Sequence, residues 1–165
     1  VSDALSGVPS KQGGERAAAE ALQRLSGLGG VPDRVCPHFD AVTLRTLRAD
    51  DDDDGDAPRM VGCEALPKGT RVEIKSVMVV YSGGTRGRFY FRPKQHRHLL
   101  DSNGVYLLAV CEPTPDRDIL SLTVVTADHV DDALPGWFNG GTDRSDYAQL
   151  AWTNFFDPDE VSDGA

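Results

Sequence analysis

The chain is 165 residues long, enough for one domain with its own hydrophobic core, and no apolar run approaches the roughly 18 residues of a membrane helix. Its formal charge is −9, from 20 Asp and 6 Glu against 13 Arg and 4 Lys, which taken alone argues against a nucleic-acid partner, because an acidic surface repels phosphates. Three cysteines, Cys36, Cys63 and Cys111, are odd in number and widely spaced, which excludes a zinc pattern and points to reduced thiols.

The Asp-rich, Lys-poor balance suits a protein kept hydrated in concentrated salt, so a halophilic, haloarchaeal source is expected. In such a medium charge repulsion is screened within about 3 Å, and local charge decides partners more than the sum does. The N-terminus shows no signal-peptide pattern, so the expectation is a soluble cytoplasmic protein with no membrane partner.

Residues 1–10 are small, polar and Pro-containing, and read as a flexible arm ahead of a single domain over 11–156. From Ser10 to about Leu28, Ala17, Ala18, Ala21, Leu22, Leu25 and Leu28 recur at steps of three and four, which predicts an amphipathic helix ended by Gly27, Gly29 and Gly30. Glu15 and Glu20 lie on it. Gly29-Gly30-Val31-Pro32 is a turn, and Phe39 to Leu44 a strand with Asp40 near its start. Residues 50–58, with Asp50 to Asp54 and Asp56, form a run of like charge that cannot pack, and read as a mobile hydrated loop rather than a Ca²⁺ cage, which needs interleaved ligands.

Arg59 to Leu66 predicts a short strand, and Pro67-Lys68-Gly69-Thr70 turns the chain into a strand over Arg71 to Val77, with the apolar run continuing to Tyr81. Gly87 to Arg92 is a further strand, and Pro93 fits the first turn of a helix carrying Gln95, His96, Leu99 and Leu100. After Asn103-Gly104, Val105 to Val110 is apolar throughout, as in a central strand, and Leu120 to Val125 is another. Asp143 to Phe156 reads as a closing helix with Tyr147, Leu150, Ala151 and Phe155 on one face, and 157–165 as an acidic tail. The order predicts an α/β (α+β) domain, a central mixed β-sheet flanked by helices.

The strand Arg71 to Val77 carries the chemistry. Val72 and Ile74 point to one face, Glu73 and Lys75 to the other. With Asp40 from a neighbouring strand and the Ile74 carbonyl, Glu73 would complete the hard-oxygen half-shell that Mg²⁺ prefers, with Mn²⁺ able to substitute. Lys75 would then stand beside a water or the phosphate. Glu64 is the alternative to Asp40 as first carboxylate.

Between Glu73 and Asp101 there is no acidic residue, while Lys75, Arg86, Arg88, Arg92, Lys94 and Arg97 are all basic. Tyr81, Phe89, Tyr90 and Phe91 are interleaved with these arginines, as on a surface that meets sugar-phosphate, so DNA is the expected partner. Gln95 and His96 are placed to reach a metal water or a phosphate. His38 shares the side of Asp40 as a supporting residue, and His98 and His129 read as structural.

With these pieces the sequence resembles the PD-(D/E)xK nuclease superfamily, the restriction-endonuclease-like fold, and within it archaeal Holliday-junction resolvases and their relatives. Lys11-Gln12-Gly13-Gly14-Glu15-Arg16 is similar to the start of their first helix, Phe39-Asp40-Ala41-Val42 to the stretch with the family Asp, and Val72-Glu73-Ile74-Lys75-Ser76 to the E-x-K strand. Gln95 sits where relatives often carry a polar group near the site. The sequence departs from the pattern in that Pro37, not a residue adjacent to Asp40, supplies the proline, and in the long acidic insertion before Glu73. The resemblance implies a Mg²⁺-dependent endonuclease acting on duplex or branched DNA in recombination, repair or restriction, with Glu15 assisting the metal site and a possible homodimer. The alternative is a catalytically inactive nuclease-fold module that binds DNA or a protein.

Overall fold

A computed structural model describes residues 10–49, 59–81, 83–140 and 146–163; at residues 10–13 and 162–163 it describes the backbone alone. The expected arm, apart from Ser10, and the acidic loop 50–58 lie outside the described residues.

Helix α1 (Ser10–Arg24) is followed by β1 (Leu28–Gly30), β2 (Ala41–Thr43), β3 (Leu47–Arg48), β4 (Arg59–Val61), β5 (Ala65–Leu66) and β6 (Arg71–Met78). Then come β7 (Arg88–Phe91), α2 (Pro93–Asp101), β8 (Val105–Cys111), β9 (Ile119–Thr126), α3 (Ala127–Ala133), β10 (Ala148–Ala151) and α4 (Pro158–Asp163). Six strands form one mixed sheet in the order β1-β2-β6-β8-β9-β4, and β7 with β10, and β3 with β5, form two-stranded ribbons. The β6–β8 and β4–β9 pairs are parallel, the others in the main sheet antiparallel.

Period-two patterning sorts the side chains into two cores. Val72 and Ile74 of β6, with Val105, Leu107 and Ala109 of β8, face α1, whose Ala17, Ala21 and Leu25 pack on them. The small alanines let the helix lie close to the sheet. On the other face Tyr106, Leu108 and Val110 meet Phe89, Phe91, Leu99, Val130, Leu150, Trp152, Phe155 and Phe156. All seven residues of β8 are buried, as its unbroken apolar run predicts for a strand covered on both faces. No described helix is long and apolar enough to cross a membrane.

Four local expectations are corrected. The first helix stops at Arg24, not Leu28, because Gly27 takes φ +90°, and the expected turn begins instead as edge strand β1 paired with β2. Residues 59–66 are two strands rather than one. Gly62, at φ +87°, breaks them where a Cβ would lie 2.4 Å from the Thr126 hydroxyl, sending β4 to the sheet edge beside β9 and β5 to β3. Of the predicted closing helix over 143–156, residues 143–145 lie outside the described residues and the remainder contains β10 instead. Ala148 and Leu150 alternate inward onto Phe91 and Phe89, and a spacing of three and four in so short a run fits either period. The acidic tail holds α4, which buries Val161. Helix α3, not expected from the pattern, starts at Thr126, whose hydroxyl accepts the His129 N–H at 3.2 Å.

Candidate active site

The register of β2 against β6 builds the site. Ala41 pairs with Val72, so one step along the antiparallel ladder Asp40 stands opposite Glu73. The Asp40 N–H donates to the Val72 carbonyl at 2.9 Å, and its Oδ2 accepts the Ile74 N–H at 2.8 Å. Its carboxyl is thereby turned back over β6 and into hydrogen-bonding contact with that of Glu73. Two residues along β6, Lys75 emerges on the same face, its Nζ 5.7 Å from the centre of the Phe91 ring.

The fourth group comes from the junction of β7 and α2. Pro93 opens the helix directly after Arg92, so α2 begins beside the end of β7. Gln95, in its first turn, donates from Nε2 to Glu73 Oε2. The helix direction also decides its neighbours. His96 and Leu99 turn inward, while Lys94 and Arg97 are exposed.

The electrostatics are unusual for a surface-derived pattern. Glu73 is 6% exposed. Burial first, then the hydrogen bond with the Asp40 carboxyl, push its pKa up to about 10, against the opposing pull of Lys75. Burial lowers the pKa of the Lys75 ammonium, with Glu73 and Asp40 favouring its charge and Arg92 opposing it. Two carboxyls and an amine held together on an otherwise apolar face are poised to exchange a proton or receive a cation.

The structure brings together Asp40, Glu73, Ile74, Lys75 and Gln95. Glu15 is exposed on α1, whose apolar stripe covers the opposite face of the sheet, and no hydrogen bond or ion pair joins it to the carboxyl pair. Glu64 is exposed between β4 and β5, with its carbonyl accepting the Ala49 N–H at 3.2 Å.

His96, expected to reach a phosphate or metal water, is instead a buried structural residue. It is 2% exposed, Nδ1 pairs with the Tyr106 hydroxyl at 2.8 Å, and Nε2 with Asp131 at 2.9 Å. Arg86, Arg88, Arg92, Lys94 and Arg97 are exposed on β7, α2 and the turn before them. His38 and His98 stack at 4.7 Å beside Phe39, and Arg71 Nη1 meets His98 Nε2 at 2.8 Å, so this pair braces the segment leading to Asp40.

Two contributors had no signal in the sequence. Asp33, in the exposed loop after β1, adds negative charge felt by Glu73. Tyr106 stands opposite Glu73 in the β6–β8 register, and its hydroxyl pKa is raised by burial and then by the Glu73 charge. Among the described residues no set of three or more His, Cys, Asp or Glu side chains could hold a metal by itself. An ion bound at the pair would keep water or substrate oxygens in its shell, as Mg²⁺ does.

A family model described as a PD-(D/E)XK nuclease superfamily domain matches residues 7–157. No curated protein and no solved structure matches the chain.

Proposed function

This chain belongs to the PD-(D/E)XK nuclease superfamily, and we propose that it is a metal-dependent endonuclease that hydrolyses phosphodiester bonds in DNA, with Asp40, Glu73 and Lys75 as its catalytic set. The observation that carries this reading is the meeting of the Asp40 and Glu73 carboxyls beside Lys75, with Gln95 bonded to Glu73. The donor set fits a divalent cation. Two carboxyls that meet, that of Glu73 buried, supply the hard oxygens that a divalent cation prefers.

Asp40, Glu73 and the Ile74 carbonyl would hold Mg²⁺, or Mn²⁺ in its place. Bound there, the ion would polarise the phosphodiester and acidify an attacking water. Lys75 stabilises negative charge as it develops on the phosphate and orients the water through its ammonium. Gln95 fixes the rotamer of Glu73, so that the oxygen facing Asp40 is presented in one geometry. Arg86, Arg88, Arg92, Lys94 and Arg97 hold the sugar-phosphate backbone. A resolvase or repair-type role on branched DNA, a homodimer and a haloarchaeal, cytoplasmic setting are the finer parts of this proposal; the motif resemblance suggests the first two, and the Asp-rich, Lys-poor composition suggests the setting.

The test is cleavage of plasmid, linear duplex and four-way-junction DNA with Mg²⁺ or Mn²⁺ over a range of KCl. Wild type cuts at least one substrate. Glu73→Gln and Lys75→Ala bind it but cut at least about 10²-fold more slowly. Variants that cut at the wild-type rate would show that the chemistry lies elsewhere.

A further inference from the structure

The alternation along β6 does not end at the catalytic pair. Arg71, Glu73 and Lys75 take one face of the strand, each about 6.6 Å from the next. Helix α2 presents Gln95 and His98 to this row, three residues apart and so on one side of the helix. Gln95 reaches Glu73, and His98 Nε2 meets Arg71 Nη1 at 2.8 Å. The segment before Asp40 completes the group. His38 stacks on His98 at 4.7 Å, and the Arg71 guanidinium lies 5.2 Å over the Phe39 ring. A guanidinium and two imidazoles are thus gathered one same-face step from the carboxyls.

This guanidinium has no counterion. No carboxylate among the described residues forms an ion pair with Arg71, and Asp101, whose charge is felt at His98, is exposed. Of its nitrogens only Nη1 is hydrogen-bonded to a described residue. No buried side-chain nitrogen or oxygen among the described residues lacks a partner, so the other nitrogens of Arg71 are open to solvent. The residue itself is half-buried, held by His98 at one nitrogen and by Phe39 under its plane. A fixed, planar, positive fork with free donors and no carboxylate suits an anion that arrives from outside, and phosphate matches its geometry.

We propose that Arg71, oriented by His98 and Phe39 and flanked by His38, binds the phosphate one nucleotide from the scissile bond in the cleaved DNA strand. This rests on the nuclease reading above and adds a second phosphate subsite to it. The same-face step of a β-strand is close to the length of one nucleotide unit of an extended sugar-phosphate chain. A strand laid along β6 with one phosphate at the carboxyl pair and Lys75 therefore brings its neighbour to Arg71. Holding two successive phosphates fixes the register of the strand against the carboxyls.

The experiment uses the full chain with Mg²⁺ and a DNA substrate whose cut bond has been mapped. Single phosphates around the cut are replaced, one at a time, by uncharged methylphosphonates. In wild type the replacement one nucleotide from the cut, on one side of it, should lower kcat/KM at least about 10-fold. Arg71→Met should lower cleavage of the all-phosphate substrate by a similar factor, and the same methylphosphonate should then cost less than about 2-fold more. Arg71→Lys keeps the charge without the fork. It should show an intermediate loss and a smaller methylphosphonate effect than wild type, so the comparison does not depend on one variant folding. Faster cutting of a strand that ends in a phosphate monoester at that position assigns the subsite to chain ends, and equal cutting assigns it to internal links.

Wild type that tolerates methylphosphonates on both sides of the cut overturns the subsite. So does a methylphosphonate effect of the same size in wild type and both variants, which would make Arg71 a brace for the Asp40 segment and nothing more. Either result leaves the nuclease reading standing, because wild type cuts. If wild type cuts no DNA, that reading fails, and binding of a fluorescent duplex decides the subsite alone. Affinity that falls at least about 10-fold in Arg71→Met but not in Arg24→Met, on α1 across the sheet, supports it. Equal affinity in wild type and Arg71→Met overturns it.

Discussion

At the scale of single residues, the centre of the site is a costly place for a charge. Glu73 is buried against a second carboxyl, and the protein tolerates it by holding a proton or by pairing with Lys75. Glu73→Gln keeps the shape and hydrogen bonds of the protonated acid. Its melting temperature should therefore equal or exceed that of metal-free wild type, even as cleavage falls at least about 10²-fold, a trade between stability and activity that calorimetry and a cleavage assay read together.

His98 supplies the pH dependence. Burial first, then the charges of Arg71 and His38, lower its pKa below 6.5. The neutral ring accepts a hydrogen bond from Arg71. The native state thus binds fewer protons here than the unfolded chain does. The stability this arrangement contributes is present above about pH 6.5 and is lost as pH falls through the lower native value. Urea unfolding at about pH 8 and pH 5 should show wild type losing more stability toward acid than His98→Gln; equal losses would place the acid sensitivity elsewhere.

At the scale of elements, α2 must be held so that Gln95 meets Glu73, and two features hold it. His96 ties α2 to β8 through Tyr106 and to α3 through Asp131. His96→Ala leaves a buried tyrosine hydroxyl without its partner and opens a cavity, and should cost roughly 2–4 kcal/mol in chemical denaturation.

The other feature is the close approach of the turn before β7 to the end of β6. A Cβ on Gly87 would sit 1.9 Å from the Met78 carbonyl oxygen, and backbone cannot step aside as a flexible side chain can. The Gly87 carbonyl also accepts the Trp152 N–H at 3.1 Å, so displacing it disturbs both ribbon and core. Gly87→Ala should destabilise the fold by about 3 kcal/mol and lower cleavage with it, since β7 leads straight into α2.

At the scale of the whole molecule, a net charge of −9 coexists with a segment whose charged residues are all basic. Salt should act on these in opposite directions. Screening relieves self-repulsion and favours the compact state, while counterion competition weakens phosphate contacts. If Arg86, Arg88, Arg92, Lys94 and Arg97 each meet one phosphate, log affinity for duplex DNA should fall with log salt at a slope of about −4 to −5. Each Arg→Ala substitution among them should reduce the slope by about 1. A slope near zero would remove the basic segment from the DNA interface.

Local order was legible in the chain because it is written within a few residues. The alternation of Arg71 to Val77 placed Glu73 and Lys75 on one face, the unbroken apolar run at Val105 placed the central strand, Pro93 marked the start of α2, and the alanine stripe marked α1. Only the tertiary structure decided which carboxylate meets Glu73, since Asp40 gains that place from the β2–β6 register, across a span that no periodicity reaches, while Glu64 goes with β5. Likewise the turning of α2, set by what Leu99 and Tyr106 bury, sent His96 inward and Gln95 to the site. Pairing with β7 made a strand of 148–151, where spacing alone fitted a helix. Side-chain alternation is a property of neighbouring residues, but register and helix rotation are settled by contacts between segments far apart in the chain, and the meeting of two carboxyls beside a lysine is a consequence of the second kind.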